Sequence, residues 1–179
     1  ACDFDSKAVS DLYRAALVMT VSAMDAYFHA KVLRYVVAQS KKHDPSASLM
    51  NLKVTVSDFI HANNMERRNS ALRSAVKRQL SYQSFQSPEK ISDALNLIGV
   101  KDIWTKVAKE LTMNKDEVKK NIKAIVDRRD KIAHEGDVFQ SKKTRNAHRS
   151  IHPKEIKEAL DLIDHVIKAA ENIINAEVK

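Results

Sequence analysis

Two glycines and three prolines in 179 residues are too few for the tight turns that a sandwich, a barrel or a doubly wound sheet demands. The one cysteine, Cys2, cannot close an internal disulfide, which excludes a disulfide-stapled fold. Neither an apolar run of membrane-spanning length nor the pattern of a secretory leader is present, so a reducing, cytoplasmic setting with no membrane partner is expected. The sequence also lacks a Gly-rich phosphate loop, a serine nucleophile elbow and an aromatic-rich RNA-binding strand. Phosphate would have to be held by side chains and helix ends. The chain does not begin with Met, which leaves open that it is a piece of a longer protein.

What is present points to helices. Ala, Leu, Ile, Lys and Glu recur at helical spacing, and the length suits one domain over residues 1–179, enough to bury a sound core. The expected class is an all-α bundle of about five helices, built on a long N-terminal helix and a C-terminal helix pair. A formal charge of +8, from 31 Lys and Arg against 23 Asp and Glu, favours polyanionic partners such as nucleic acid.

The first helix should run from about Ser6 to Lys41 with apolar residues on nearly every side, including Val9, Leu12, Leu17, Val21, Met24, Phe28, Val32 and Val36, as a central bundle helix does. Asp44-Pro45-Ser46 marks 42–53 as a loop, and a second helix with a basic surface (Arg67, Arg68, Arg73, Lys77, Arg78) follows from near Thr55 or Ser57 to about Tyr82. Ser87-Pro88 opens a third, closed in its first part by Gly99 and continued from Asp102 to Leu111 with Trp104. Asn114 and Glu117 read as a capping box for the fourth, which carries Val118, Ile122, Ile125 and Ile132 and meets a left-handed cap at Gly136. His152-Pro153 opens the last, with Ile156, Leu160, Ile163, Val166, Ile167, Ala170 and Ile174 as its apolar face.

The chemistry concentrates at the end of the fourth helix, in Asp127-Arg128-Arg129-Asp130-Lys131-Ile132-Ala133-His134-Glu135-Gly136. A permanent cation beside a group that titrates near neutrality supplies the two roles needed to cut RNA without a metal or other cofactor. Arg129 falls within the stripe of Ile122, Ile125 and Ile132. Either its stem packs while the guanidinium reaches water or a carboxylate, or it is a cation kept in a cleft. His134 lies about 140° around a regular helix from Arg129, whereas Asp130 shares the face of His134 and is placed to orient its imidazole. Convergence of Arg129 and His134 on one phosphate then requires the helix to end or a second subunit to contribute. In the first helix, Arg14, Ser22, Asp25 and His29 form a narrow polar stripe that either faces solvent or serves this cleft, with Asp25 neutralising Arg129 and His29 bordering the site. The loop after Gly136 adds Lys142, Lys143, Arg145 and Arg149, candidates with Arg128 and Lys131 for contacts to RNA phosphates. His148 and His152 have the spacing of a helical metal pair but no third ligand nearby, so no metal site is expected.

These residues carry a resemblance. Arg129-Asp130, three residues and His134, together with the first-helix run from Arg14 to Tyr27, resemble the HEPN superfamily and within it the RiboL-PSP-HEPN branch, over about Lys7 to Ile174. The resemblance implies a metal-independent endoribonuclease whose catalytic pair is Arg129 and His134, with Asp130 as the polar residue between them and Arg128 as an alternative start of the motif. It also implies a homodimer in which both motifs line one cleft, 2′,3′-cyclic phosphate and 5′-OH products, and a toxin or defence role with an antitoxin or regulatory partner. One toxin subgroup has a modifiable tyrosine two residues after the histidine; here that position is Gly136. A non-catalytic module binding RNA or a protein through the same groove is the alternative, and an unrelated helical adaptor a third.

Overall fold

In the computed structural model, residues 6–53, 55–58, 60, 68–138 and 148–178 are described. Seven helices are bounded among them: α1 (Ser6–Ser40), α2 (Ala47–Met50), α3 (Arg68–Leu80), α4 (Pro88–Leu97), α5 (Ile103–Glu110), α6 (Lys115–Glu135) and α7 (Pro153–Glu177). Among the described residues there is no strand, only an isolated antiparallel bridge between Val138 and His148. The all-α class holds, while the expected count of about five is low. Two local features account for the difference. The Ser46 hydroxyl accepts from the Leu49 N–H and Leu49 is buried, which turns part of the expected 42–53 loop into α2. Gly99 (φ 87) and Asp102 (φ 53) both take left-handed conformations, so α4 and α5 are separate helices rather than one continued. A Cβ on Gly99 would meet the amide end of the Gln39 side chain, which can shift, so it is the left-handed backbone that calls for glycine at this turn.

The other ends follow from their caps. Ser87 caps α4 through the Lys90 N–H, with Pro88 in the first turn, and Asn114 caps α6 through the Asp116 N–H. Gly136 (φ 63) closes α6, and the N–H groups of Gly136 and Asp137 both turn back onto the Lys131 carbonyl. Trp104 is buried and donates its indole N–H to the Pro88 carbonyl at 2.7 Å, fixing α5 on the start of α4.

α1 is the central element, packed against α3, α4, α6 and α7. Leu17, Val21, Met24, Phe28, Val32 and Val36 are all buried along one stripe. It is not covered on every side, since Leu12 is 61% exposed and Met19 71%. Leu160 of α7 also lies at the surface. The main core joins α1 to α3, α4, α5, α6 and α7. A smaller cluster of Leu17, Ile151, Ile156 and Ala159, with Tyr13, Ile125 and Ile132 against it, holds the N-terminal part of α1 and the first turns of α7 beside the C-terminal half of α6. That smaller cluster positions the candidate site.

α1 and α7 are also tied by a polar cluster. The Tyr27 hydroxyl donates to Glu171, and the Lys31 ammonium lies 2.5 Å from the same carboxylate. Hydrogen bonds from Lys31, and then Tyr27, hold the Glu171 carboxyl below its usual value of 4.5, while burial and then the neighbouring Glu171 push the Tyr27 phenol up. A carboxyl with a lowered folded-state pKa stabilises the fold above its unfolded value and loses that contribution as pH falls through the folded one. Glu171→Gln is therefore expected to flatten the acid limb of the stability curve. Thermal melts between about pH 3 and pH 6 check it, and an unchanged limb would remove Glu171 from the account.

Candidate functional site

α6 continues as a helix through Glu135, and so carries both Arg129 and His134 within its last two turns. Arg129 sits where the stripe predicts, with Ile122 buried and Ile125 and Ile132 half-buried, and its side chain is only 12% exposed. Its Nη1 lies 3.2 Å from an Asp130 oxygen, and its buried Nε has no hydrogen-bond partner among the described residues. His134 is exposed at the final turn. The expected orientation of His134 by Asp130 is not what forms, because Asp130 turns to Arg129 instead. A permanent guanidinium charge attracts a carboxylate at every pH, whereas an imidazole does so fully only when protonated. With the helix regular past His134, the divergence of about 140° between Arg129 and His134 persists within one chain.

The adjacent arginine has a different destination. Arg128 reaches Asp137 at 2.9 Å, donates to the Ser150 carbonyl at 3.0 Å and has Glu155 at 3.9 Å, leaving its side chain 14% exposed. Arg14 of α1 approaches the other oxygen of Asp137 at 3.0 Å, donates to the Arg149 carbonyl at 2.7 Å and pairs with Asp11 at 3.0 Å. Asp137, whose side chain is 0% exposed, is thus gripped by two guanidinium groups from two helices. The Arg128 contact is an ion pair rather than an aligned hydrogen bond. The Asp137 backbone carbonyl accepts from the Arg149 N–H at 2.8 Å, and His148 donates from Nδ1 to the Gly136 carbonyl at 2.8 Å. Arg128, expected on RNA, is turned into the fold. Arg149 is half-buried with its main chain engaged, and Lys131 is half-buried beside the motif. Lys142, Lys143 and Arg145 lie outside the described residues, as do Cys2 and Arg67.

The α1 stripe serves two places rather than one. Asp25 accepts from the Phe85 N–H at 2.5 Å and from the Gln86 amide at 3.3 Å, and His29 lies 3.6 Å away from it. His29 Nε2 is 3.0 Å from the Gln83 carbonyl, and its ring stacks on Phe85 with centroids 4.2 Å apart. The expected neutralisation of Arg129 by Asp25 is therefore overturned, and His29 does not border the motif. About 16 Å of helix separates Asp25 from Arg14, so one stripe reaches both the turn before α4 and the end of α6. Asp137 is the residue the sequence reading missed. Its signal is the single carboxylate between Gly136 and Pro153, directly after a capping glycine in a segment that carries several cations.

A groove of about 480 Å³ opens between α1, α6 and α7, lined by Leu17, Ile125, Arg128, Glu155, Ile156 and Leu162, and neither Arg129 nor His134 reaches it. Among the described residues no group of three His, Cys, Asp or Glu side chains is arranged to hold a metal ion, and no helix is long and apolar enough to cross a membrane. The sequence model of the family described as RiboL-PSP-HEPN matches residues 3–176. No curated protein and no solved structure matches the chain.

Proposed function

Because the chain belongs to the RiboL-PSP-HEPN family, we propose that it is a metal-independent endoribonuclease, acting in the cytoplasm as a toxin or defence effector. The observation that carries this reading is the pairing, in the last two turns of α6, of the sheltered Arg129 cation with the exposed imidazole of His134. In the reaction, an imidazole takes the ribose 2′-OH proton as O2′ bonds to phosphorus. The P–O5′ bond then breaks, and the departing oxygen takes a proton from a second imidazole, leaving a 2′,3′-cyclic phosphate and a 5′-OH. Arg129 stabilises the charge gathered on the phosphorane oxygens. Two imidazoles and a divergence of about 140° both favour a homodimer whose two-fold axis passes near His134 and brings two motifs together.

A second reading, a non-catalytic module that binds RNA or a protein partner such as an antitoxin, is favoured by the pairing of Arg129 with Asp130, which occupies the cation at rest. One assay separates the two. Purified protein in excess EDTA is expected to cut single-stranded RNA and leave the matching DNA whole, because the 2′-OH is the nucleophile. Cleavage lost in EDTA, or equal cleavage of DNA, removes the proposed mechanism. Binding of RNA without cleavage leaves the module.

A further inference from the structure

The segment directly after α6 holds a buried charge that the proposed chemistry does not use. Asp137 is fully shielded, takes a left-handed conformation (φ 56), and faces Arg14 at 3.0 Å and Arg128 at 2.9 Å. Burying a carboxylate is costly unless cations and hydrogen bonds surround it, and a left-handed backbone at a residue other than glycine adds strain. Both costs are incurred three residues beyond His134, at the point where a helix end would otherwise fray. The grip runs in three directions: to α1 through Arg14, to α6 through Arg128, and to the strap leading into α7 through the Arg149 and Ser150 carbonyls. The turn that carries the imidazole is thereby anchored on both sides, by the half-buried Ile132 before it and by Asp137 after it.

We infer that Asp137, held between Arg14 and Arg128, is a positioning residue that fixes where the last turn of α6 presents His134. Arg14 and Arg128 act through it, from inside the fold, and neither contacts RNA. This rests on the ribonuclease reading, since its effect on rate comes through the geometry of His134. A displacement of about 1 Å at a reacting group costs roughly 100-fold in rate, so loosening one turn is enough to be read in kcat.

The test is Asp137→Asn in the full chain, since asparagine keeps the shape and tolerates the left-handed backbone but drops the charge. Expected is a kcat for RNA cleavage at least about tenfold lower, with KM within about twofold of wild type and helix content unchanged. A merely structural role would lower the folded fraction and leave kcat per folded molecule alone. A folded Asp137→Asn chain with wild-type kcat overturns the inference. Should that variant not fold, amide hydrogen exchange in Arg14→Gln decides. Residues 133–136 should exchange faster while 118–126 keep their protection, and equal protection at 133–136 overturns the inference. Should the wild-type chain cut no RNA, the ribonuclease reading fails by itself, and the same exchange measurement still shows whether the grip holds the turn of His134.

Discussion

His134→Ala is expected to abolish RNA cleavage while leaving RNA affinity within a few-fold of wild type. A positioned imidazole contributes about 10²- to 10⁴-fold as general acid or base. If each two-fold site uses one imidazole for each proton transfer, the variant loses both at once, and the upper end of that range applies. The fold should tolerate the change, because His134 is exposed at the end of α6 and a surface substitution shifts stability by about 0.5 kcal/mol or less. The measurement is single-turnover cleavage beside a binding titration, with contaminating nuclease excluded by identical purification of both chains. A His134→Ala chain that keeps the wild-type rate would return attention to other groups near the end of α6. Mixing His134→Ala with Arg129→Ala chains adds a second reading from the same preparations. Partial activity on mixing, above either variant and below wild type because a mixed dimer keeps one His134 and one Arg129, requires a site that draws on two protomers, and a monomer with full specific activity would sink the dimer.

Much of this arrangement was legible in the residues because its signals are local. Asn114 and Gly136 bound α6, Ser87-Pro88 and Pro153 open α4 and α7, and the stripe of Ile122, Ile125 and Ile132 correctly places Arg129 at a sheltered position. The failures are of reach. Arg14 and Asp137 are 123 positions apart, and no periodicity announces that a stripe in α1 will close on a residue after α6. The same stripe offered Asp25 as a partner for Arg129. Only the packing of 83–86 against α1 reveals that Phe85 and Gln86 take that carboxylate. Asp130 failed for another reason: wheel geometry shows which face a side chain leaves, not which of two neighbours it prefers. Charge decides that, and the adjacent guanidinium wins over the imidazole.

The two adjacent arginines, indistinguishable in a motif of this length, are expected to fail in opposite ways. Arg129→Ala should cost about 10²- to 10³-fold in cleavage, the scale on which removing one donor to a charged transition state is felt. It should also weaken RNA binding and reduce the salt dependence of that binding by about one unit of slope, the signature of one lost phosphate contact. Stability should change little, because the partner left behind is Asp130, whose side chain is 50% exposed and can be solvated by water. Arg129→Lys should recover little of the rate, since a point ammonium cannot offer the paired planar donors that grip a phosphate. Arg128→Ala does the reverse. It leaves one oxygen of the fully buried Asp137 without its cation while Arg14 still holds the other, a loss of roughly 1–3 kcal/mol for a buried acceptor left without a partner. Its salt slope for RNA should stay at the wild-type value in whatever fraction remains folded. Denaturant melts and salt titrations on the two variants separate these outcomes. An Arg128→Ala chain of wild-type stability that has lost its phosphate contact would exchange the roles assigned to the pair and place Arg128 at the RNA.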